Sequence, residues 1–148
     1  MSADAFVLDA SVLVAAALPN EPHHADAKAI MQRLMAEQTA LVLPTVALAE
    51  VAAAIARGAG DERLALQVVT AYAGHAELQW APVDTALGLA AAQVAAGHRI
   101  RGCDAVYVAL AQAQQAVLLT LDRQQRERAP ATVPARTPAQ ALAEWFRP

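Results

Sequence analysis

The sequence is poor in the residues that build several common kinds of site. Cys103 is the only cysteine, so there is no disulfide framework and no thiolate zinc cluster. Lys28 is the only lysine, and ten of the eleven basic residues are arginine, the better partner for phosphate oxygens. No run approaches the ~20 apolar residues that a membrane span needs. The first residues carry acids at Asp4 and Asp9 and no basic segment, which does not fit a signal peptide; a cytoplasmic protein without membrane contact is the expectation. P-loop and dinucleotide glycine fingerprints are absent. A formal charge of -3 does not announce a nucleic-acid binder, although committing four acids to a cation would leave the remainder slightly basic. Aromatics make up only 4% of the chain and alanine is abundant, which favours many helices packed closely on a small sheet.

What is present is a chain long enough, at 148 residues, for one domain (1–148) with a sizeable core. Phe6-Val7-Leu8 reads as a short strand buried on both faces, because no polar residue alternates with the apolar ones. Further strands are expected at Ala40–Leu43, at Leu78–Val83, where Gln79 and Pro82 interrupt it, and at Val117–Leu121. A short edge strand is expected at Thr132-Val133. Helices are expected over Ser11–Leu18, Ala25–Gln38, Thr45 (as cap) to Arg57, Asp61 to Gly74, Asp84 to Gly97, Cys103-Asp104 to Gln115 and Arg123–Arg128. A last helix begins at Thr137-Pro138. This alternation predicts an α/β fold with helices on both faces of a parallel sheet.

Four acids occupy marked positions. Asp9 and Asp122 each follow an apolar strand, at the carboxyl edge where α/β sheets bind ligands. Asp104 opens a helix. Glu50 is the only charge between Gln38 and Arg57, on a helix whose other residues look enclosed, and an enclosed carboxylate needs a partner. Taken singly, Asp9, Asp104 and Asp122 read as helix caps and Glu50 as a mark of the solvent face. Taken together, four carboxylates at one sheet edge would repel one another unless a cation neutralised them. Oxygen-only ligands suit Mg²⁺ or Mn²⁺, and the implied chemistry is metal-assisted phosphodiester hydrolysis.

The segment Phe6-Val7-Leu8-Asp9-Ala10-Ser11-Val12-Leu13, Glu50 in its helix, Asp104-Ala105 and Thr120-Leu121-Asp122 are similar, in order and spacing, to the acidic quartet of PIN-domain ribonucleases. Within that family the chain resembles the VapC-type toxins of bacterial toxin–antitoxin pairs, over nearly its whole length. The resemblance implies a three-layer α/β/α fold on a central parallel sheet of four or five strands. It implies that Asp9, Glu50, Asp104 and Asp122 are the catalytic, metal-binding acids, with Ser11 and Thr120 supporting them through hydrogen bonds. It also implies an RNA substrate, a cognate antitoxin and a homodimer. Water as the nucleophile would leave 5′-phosphate and 3′-hydroxyl ends.

Arg99 and Arg101 precede Asp104, and Arg123 and Arg126 follow Asp122; such residues position an RNA backbone without reading its sequence, and Arg101 is the preferred one. Other features read as structural. The four histidines lack metal-ligand spacing and fall at loops or helix ends. Cys103 reads as a packed small side chain, and Trp80 and Tyr107 as core. The Ala52-Ala53-Ala54 stripe reads as close helix packing that could also serve a dimer. Haloacid dehalogenase phosphatases place a second aspartate where this chain has Ser11, and response-regulator receivers need a late lysine that is missing here. The remaining alternative is a non-catalytic PIN-like module that binds a metal or a protein.

Overall fold

A strand with no polar side on either face has to be sandwiched, and the strand that begins the chain is. In the computed structural model, which describes residues 3–146, β1 (Ala5–Leu8) lies at the centre of one sheet. The other strands are β2 (Ala40–Pro44), β3 (Leu78–Ala81), β4 (Val117–Leu119) and β5 (Ala135–Arg136). Their order is β3-β2-β1-β4-β5 and every pairing is parallel. Phe6, Val7, Leu8, Leu118 and Leu119 are all buried.

Parallel neighbours require crossovers, and the crossovers supply the outer layers. The helices are α1 (Ala10–Ala17), α2 (His24–Ala36), α3 (Val46–Ala59), α4 (Glu62–Ala73), α5 (Thr85–His98), α6 (Gly102–Gln114), α7 (Arg123–Arg128) and α8 (Pro138–Trp145). From β1 the chain steps outward through β2 to β3, then returns to β4 and steps outward again to β5. Right-handed crossovers therefore put α1 to α4 on one face and α5 to α7 on the other. Accordingly α6 lies along β1, β2 and β4 with α5 packed on it, while α1, α2 and α8 form one packed group and α3 pairs with α4. The result is the three-layer α/β/α architecture, with five strands. Between β1 and β4 the strand order switches direction, and in open α/β sheets the crevice at such a point takes the ligand.

Several local expectations are corrected. The edge strand forms at Ala135–Arg136 and not at Thr132-Val133. Pro134 cannot donate to a ladder, but its carbonyl accepts from Leu118 N at 2.8 Å and so starts the pairing. β3 stops at Ala81, before Pro82, and β4 stops at Leu119, which frees Thr120 to turn its hydroxyl onto neighbouring groups. Thr45 precedes α3 but makes no capping bond. The helix α3 is not enclosed: it buries only Ala47, Val51 and Ile55, and leaves Ala49 and Ala53 exposed. Cys103 is exposed rather than packed. Asp104 sits inside the first turn of α6, whose N-cap position is Arg101, so it is no cap. Asp9, Asp61, Asp84 and Asp122 do cap, each accepting from a backbone N–H of its helix. Thr137 closes a full capping box with Gln140 at the start of α8, and Trp145 from that helix meets Phe6 edge-on at 5.5 Å. No helix among the described residues is long and apolar enough to cross a membrane.

Candidate functional site

Asp9 ends β1 and caps α1, so its backbone conformation is fixed from both sides. Its Oδ2 accepts from Ser11 N at 3.1 Å, from Ser11 Oγ at 2.5 Å and from Thr120 Oγ1 at 3.3 Å. The two hydroxyls are themselves held, since Ser11 Oγ accepts from Leu121 N at 3.0 Å and Thr120 Oγ1 from Asp122 N at 3.0 Å. This network ties the end of β1 to the turn after β4. Asp9 Oδ1 takes no hydrogen bond among the described residues and is left to the cleft. The residue is only 6% exposed, and burial pushes its carboxyl up to about 6, helped by the charges of Glu50 and Asp104 and opposed by the Ser11 bonds.

Glu50 comes from the middle of α3 and is half-buried. Its Oε1 accepts from the hydroxyl of Tyr107 at 2.6 Å. Desolvation raises its pKa, the Tyr107 bond lowers it, and Asp104 raises it again. Asp104, in the first turn of α6, is raised by burial and by Asp122, against the pull of Arg101. The four acids are therefore electrostatic neighbours in a chain: Asp9 with Glu50 and Asp104, Glu50 with Asp104, and Asp104 with Asp122.

Asp9, Ser11, Glu50 and Asp104 line one open cleft of about 850 Å³, whose wall includes Val14 and Ala53. Asp122 stands beside the cleft rather than in its lining. Both of its oxygens are engaged, Oδ1 with Gln125 N at 2.9 Å and Oδ2 with Arg101 Nη2 at 3.2 Å. Arg101 also reaches Asp104 Oδ2 through Nε at 3.2 Å, so one guanidinium bridges two acids. Among the described residues no three His, Cys, Asp or Glu side chains stand at ion-holding spacing; each carboxylate is partly occupied by a protein donor. The donor chemistry nonetheless fits a hard divalent cation, which takes oxygen ligands only. Asp9 Oδ1, Glu50 Oε2 and Asp104 Oδ1 have no protein partner among the described residues, and like charges crowded in a half-buried cleft call for a cation.

The arginines divide. Arg101 faces the acids. Arg99 is the left-handed C-cap of α5, with its carbonyl accepting from Arg128. Arg123 pairs with Glu127 at 2.7 Å, and Arg126 donates to the carbonyl of Thr120 at 3.1 Å. Two further residues escape a reading of the sequence as acids and hydroxyls. Tyr107 is fully buried, as core residues are, but its hydroxyl ends on Glu50; the available signal is its spacing three residues after Asp104, which puts both on one helix face. Gln125, also buried, donates from Nε2 to the Asp104 carbonyl at 3.0 Å and so joins α7 to α6. Asp122-x-x-Gln125 has the spacing of a capping box, yet the amide reaches across to the other helix. A separate cavity of about 450 Å³, between Phe6, Leu34 and Trp145 at the amino ends of the strands, holds no such converging set.

Residues 6–130 match the PIN domain family. The chain belongs to the PIN-domain family. No curated protein matches it by sequence, but solved structures do by shape. VapBC2 from Rickettsia felis, bound to a promoter DNA fragment, is 14% identical with a TM-score of 0.69, over 90% of this chain and 98% of that one. VapC20 from Mycobacterium tuberculosis, a sarcin-ricin loop cleaving toxin, is 18% identical with a TM-score of 0.70, over 86% and 98%. FitAcB from Neisseria gonorrhoeae is 21% identical with a TM-score of 0.63, over 90% and 98%. At these identities the likeness is one of fold, and these neighbours are covered nearly in full.

Proposed function

We propose that this PIN domain is a metal-dependent endoribonuclease, acting in the cytoplasm as the toxin of a toxin–antitoxin pair. The observation that carries the reading is the convergence of Asp9, Glu50 and Asp104 on one cleft, each carboxyl raised by burial and by the charge of its neighbours. A divalent ion, Mg²⁺ or Mn²⁺, would be held by Asp9, Glu50 and Asp104, with Asp122 joining them once Arg101 lets go. When bound, such an ion supplies the charge that activates water and stabilises a phosphate in transition. Ser11 and Thr120 fix the direction of Asp9, and the Asp122 cap fixes the start of α7. Arg101, 73% exposed at its side chain, is free to exchange its carboxylate partners for a phosphate of the RNA backbone. Structural neighbours that include VapC toxins, one of them described as a sarcin-ricin loop cleaving toxin, support RNA as the substrate. Neighbours solved as toxin–antitoxin complexes support an antitoxin partner, and we extend the same reading to a homodimer.

One observation favours a second reading. Arg101 already neutralises Asp104 and Asp122, as it would in a non-catalytic module that binds a protein or a structural ion. The test is cleavage of total cellular RNA by the purified protein with Mg²⁺ or Mn²⁺, with EDTA, and by an Asp104→Asn variant. Cutting that needs both the ion and Asp104 is the expected result. If the wild type cuts nothing and its expression without an antitoxin leaves growth unaffected, the non-catalytic reading stands instead.

A further inference from the structure

Tyr107 is an unusual core residue. It lies on the inward face of α6, is 0% exposed, and spends its one hydroxyl proton on a carboxylate of another helix at 2.6 Å. One buried phenol thus joins α3 to α6, the helices that carry Glu50 and Asp104. Buried and aimed at Glu50 Oε1, the hydroxyl is held as a donor to that oxygen. A fixed donor on Oε1 leaves Glu50 one open oxygen, Oε2. It also limits the rotamers of a long side chain that α3, with its exposed Ala49 and Ala53, does not otherwise pack.

We infer that Tyr107 is a positioning residue for the acidic cleft: its hydroxyl holds Glu50 so that Oε2 faces the cation bound by Asp9 and Asp104. This rests on the metal-dependent reading above. Hydrogen-bond partners of metal ligands act through ligand orientation, and losing one costs about 10- to 100-fold in ion affinity. Tyr72 supplies the control. Its hydroxyl also makes a short, part-buried bond of 2.6 Å, but to the backbone carbonyl of Leu13, with no acid involved. A tyrosine that matters only to packing should behave like Tyr72; a positioning tyrosine should not.

The experiment is a Mn²⁺ titration followed by electron paramagnetic resonance on the wild type, Tyr107→Phe and Tyr72→Phe, with thermal melts of the ion-free proteins and steady-state RNA cleavage alongside. Phenylalanine keeps the ring in the core and removes only the hydroxyl. Tyr107→Phe is expected to bind Mn²⁺ at least about 10-fold more weakly. Its kcat at fixed Mn²⁺ should fall while KM for RNA is unchanged. Tyr72→Phe should bind Mn²⁺ as the wild type does, whatever its melting temperature. Equal Mn²⁺ affinity in Tyr107→Phe and a wild type that does bind the ion overturns the role of Tyr107 and leaves the nuclease reading intact. A wild type that binds no Mn²⁺ and cuts no RNA overturns both.

Discussion

At the scale of single residues, Asp9 sets a cost that the site has to offset. In the unfolded chain its carboxyl titrates at the ordinary 3.8, and in the fold at about 6. The folded state therefore holds the proton more tightly, so stability is highest below the unfolded value and falls as pH rises through the folded one. With each pH unit of displacement equivalent to ~1.4 kcal/mol, a charged Asp9 costs the ion-free fold about 3 kcal/mol. Urea unfolding between about pH 4 and about pH 8 should show the ion-free wild type losing stability relative to Asp9→Asn, and Mn²⁺ restoring it. Parallel pH profiles for the two proteins would contradict this. Arg101 makes a different prediction. Its ion pairs are exposed and contribute little stability, so Arg101→Ala should melt close to the wild type. If the guanidinium transfers to a phosphate, that variant should bind RNA more weakly, with a log–log salt slope reduced by about 0.7, as read by fluorescence anisotropy. Asp9 and Asp122 were legible in the sequence because they follow apolar strands, while Ser11 and Thr120 came with the family resemblance. The Arg101 bridge and the Tyr107 hydroxyl were not, since each depends on a side chain from another element.

At the scale of elements, the join between α6 and α7 determines how Asp104 and Asp122 sit relative to each other. Gln125 makes it through one amide proton, while its Oε1 is buried without a hydrogen-bond partner among the described residues. Removing an amide that leaves nothing behind differs from removing one that leaves a hole. Gln125→Met should therefore stay within about 1 kcal/mol of the wild type, whereas Gln125→Ala should lose about 2 kcal/mol or more to the cavity. Chemical denaturation distinguishes the two. In the sheet, Leu118 pairs with both Val7 and Ala135, and Leu118→Ala should cost ~2–5 kcal/mol. Element order could be read from apolar runs and caps, because burial on both faces erases the alternation that exposed strands show. The end of β4 and the start of β5 could not, because they depend on where Thr120 turns its hydroxyl and on the Pro134 carbonyl accepting from Leu118 N. The apolar run of α3 looked like full burial but reflects a single buried stripe beside an open cleft.

At the scale of the whole molecule, the sheet order brings distant parts of the chain to one edge. β1 and β4 are neighbours although more than a hundred residues separate Asp9 from Asp122, and α3 and α6 lean Glu50 and Asp104 over the crevice between them. Family membership rests on the match over residues 6–130; the proposed chemistry rests on what four acids near one edge can hold. The most direct measurement is the nature of the ends left on cut RNA, mapped after digestion with Mg²⁺ or Mn²⁺. Acids that serve a hydrolytic cation direct water at the phosphorus, so 5′-phosphate and 3′-hydroxyl ends are expected, disappearing with EDTA and with Asp104→Asn. Ends carrying 2′,3′-cyclic phosphate, formed without a divalent ion, would contradict the hydrolytic reading of this site.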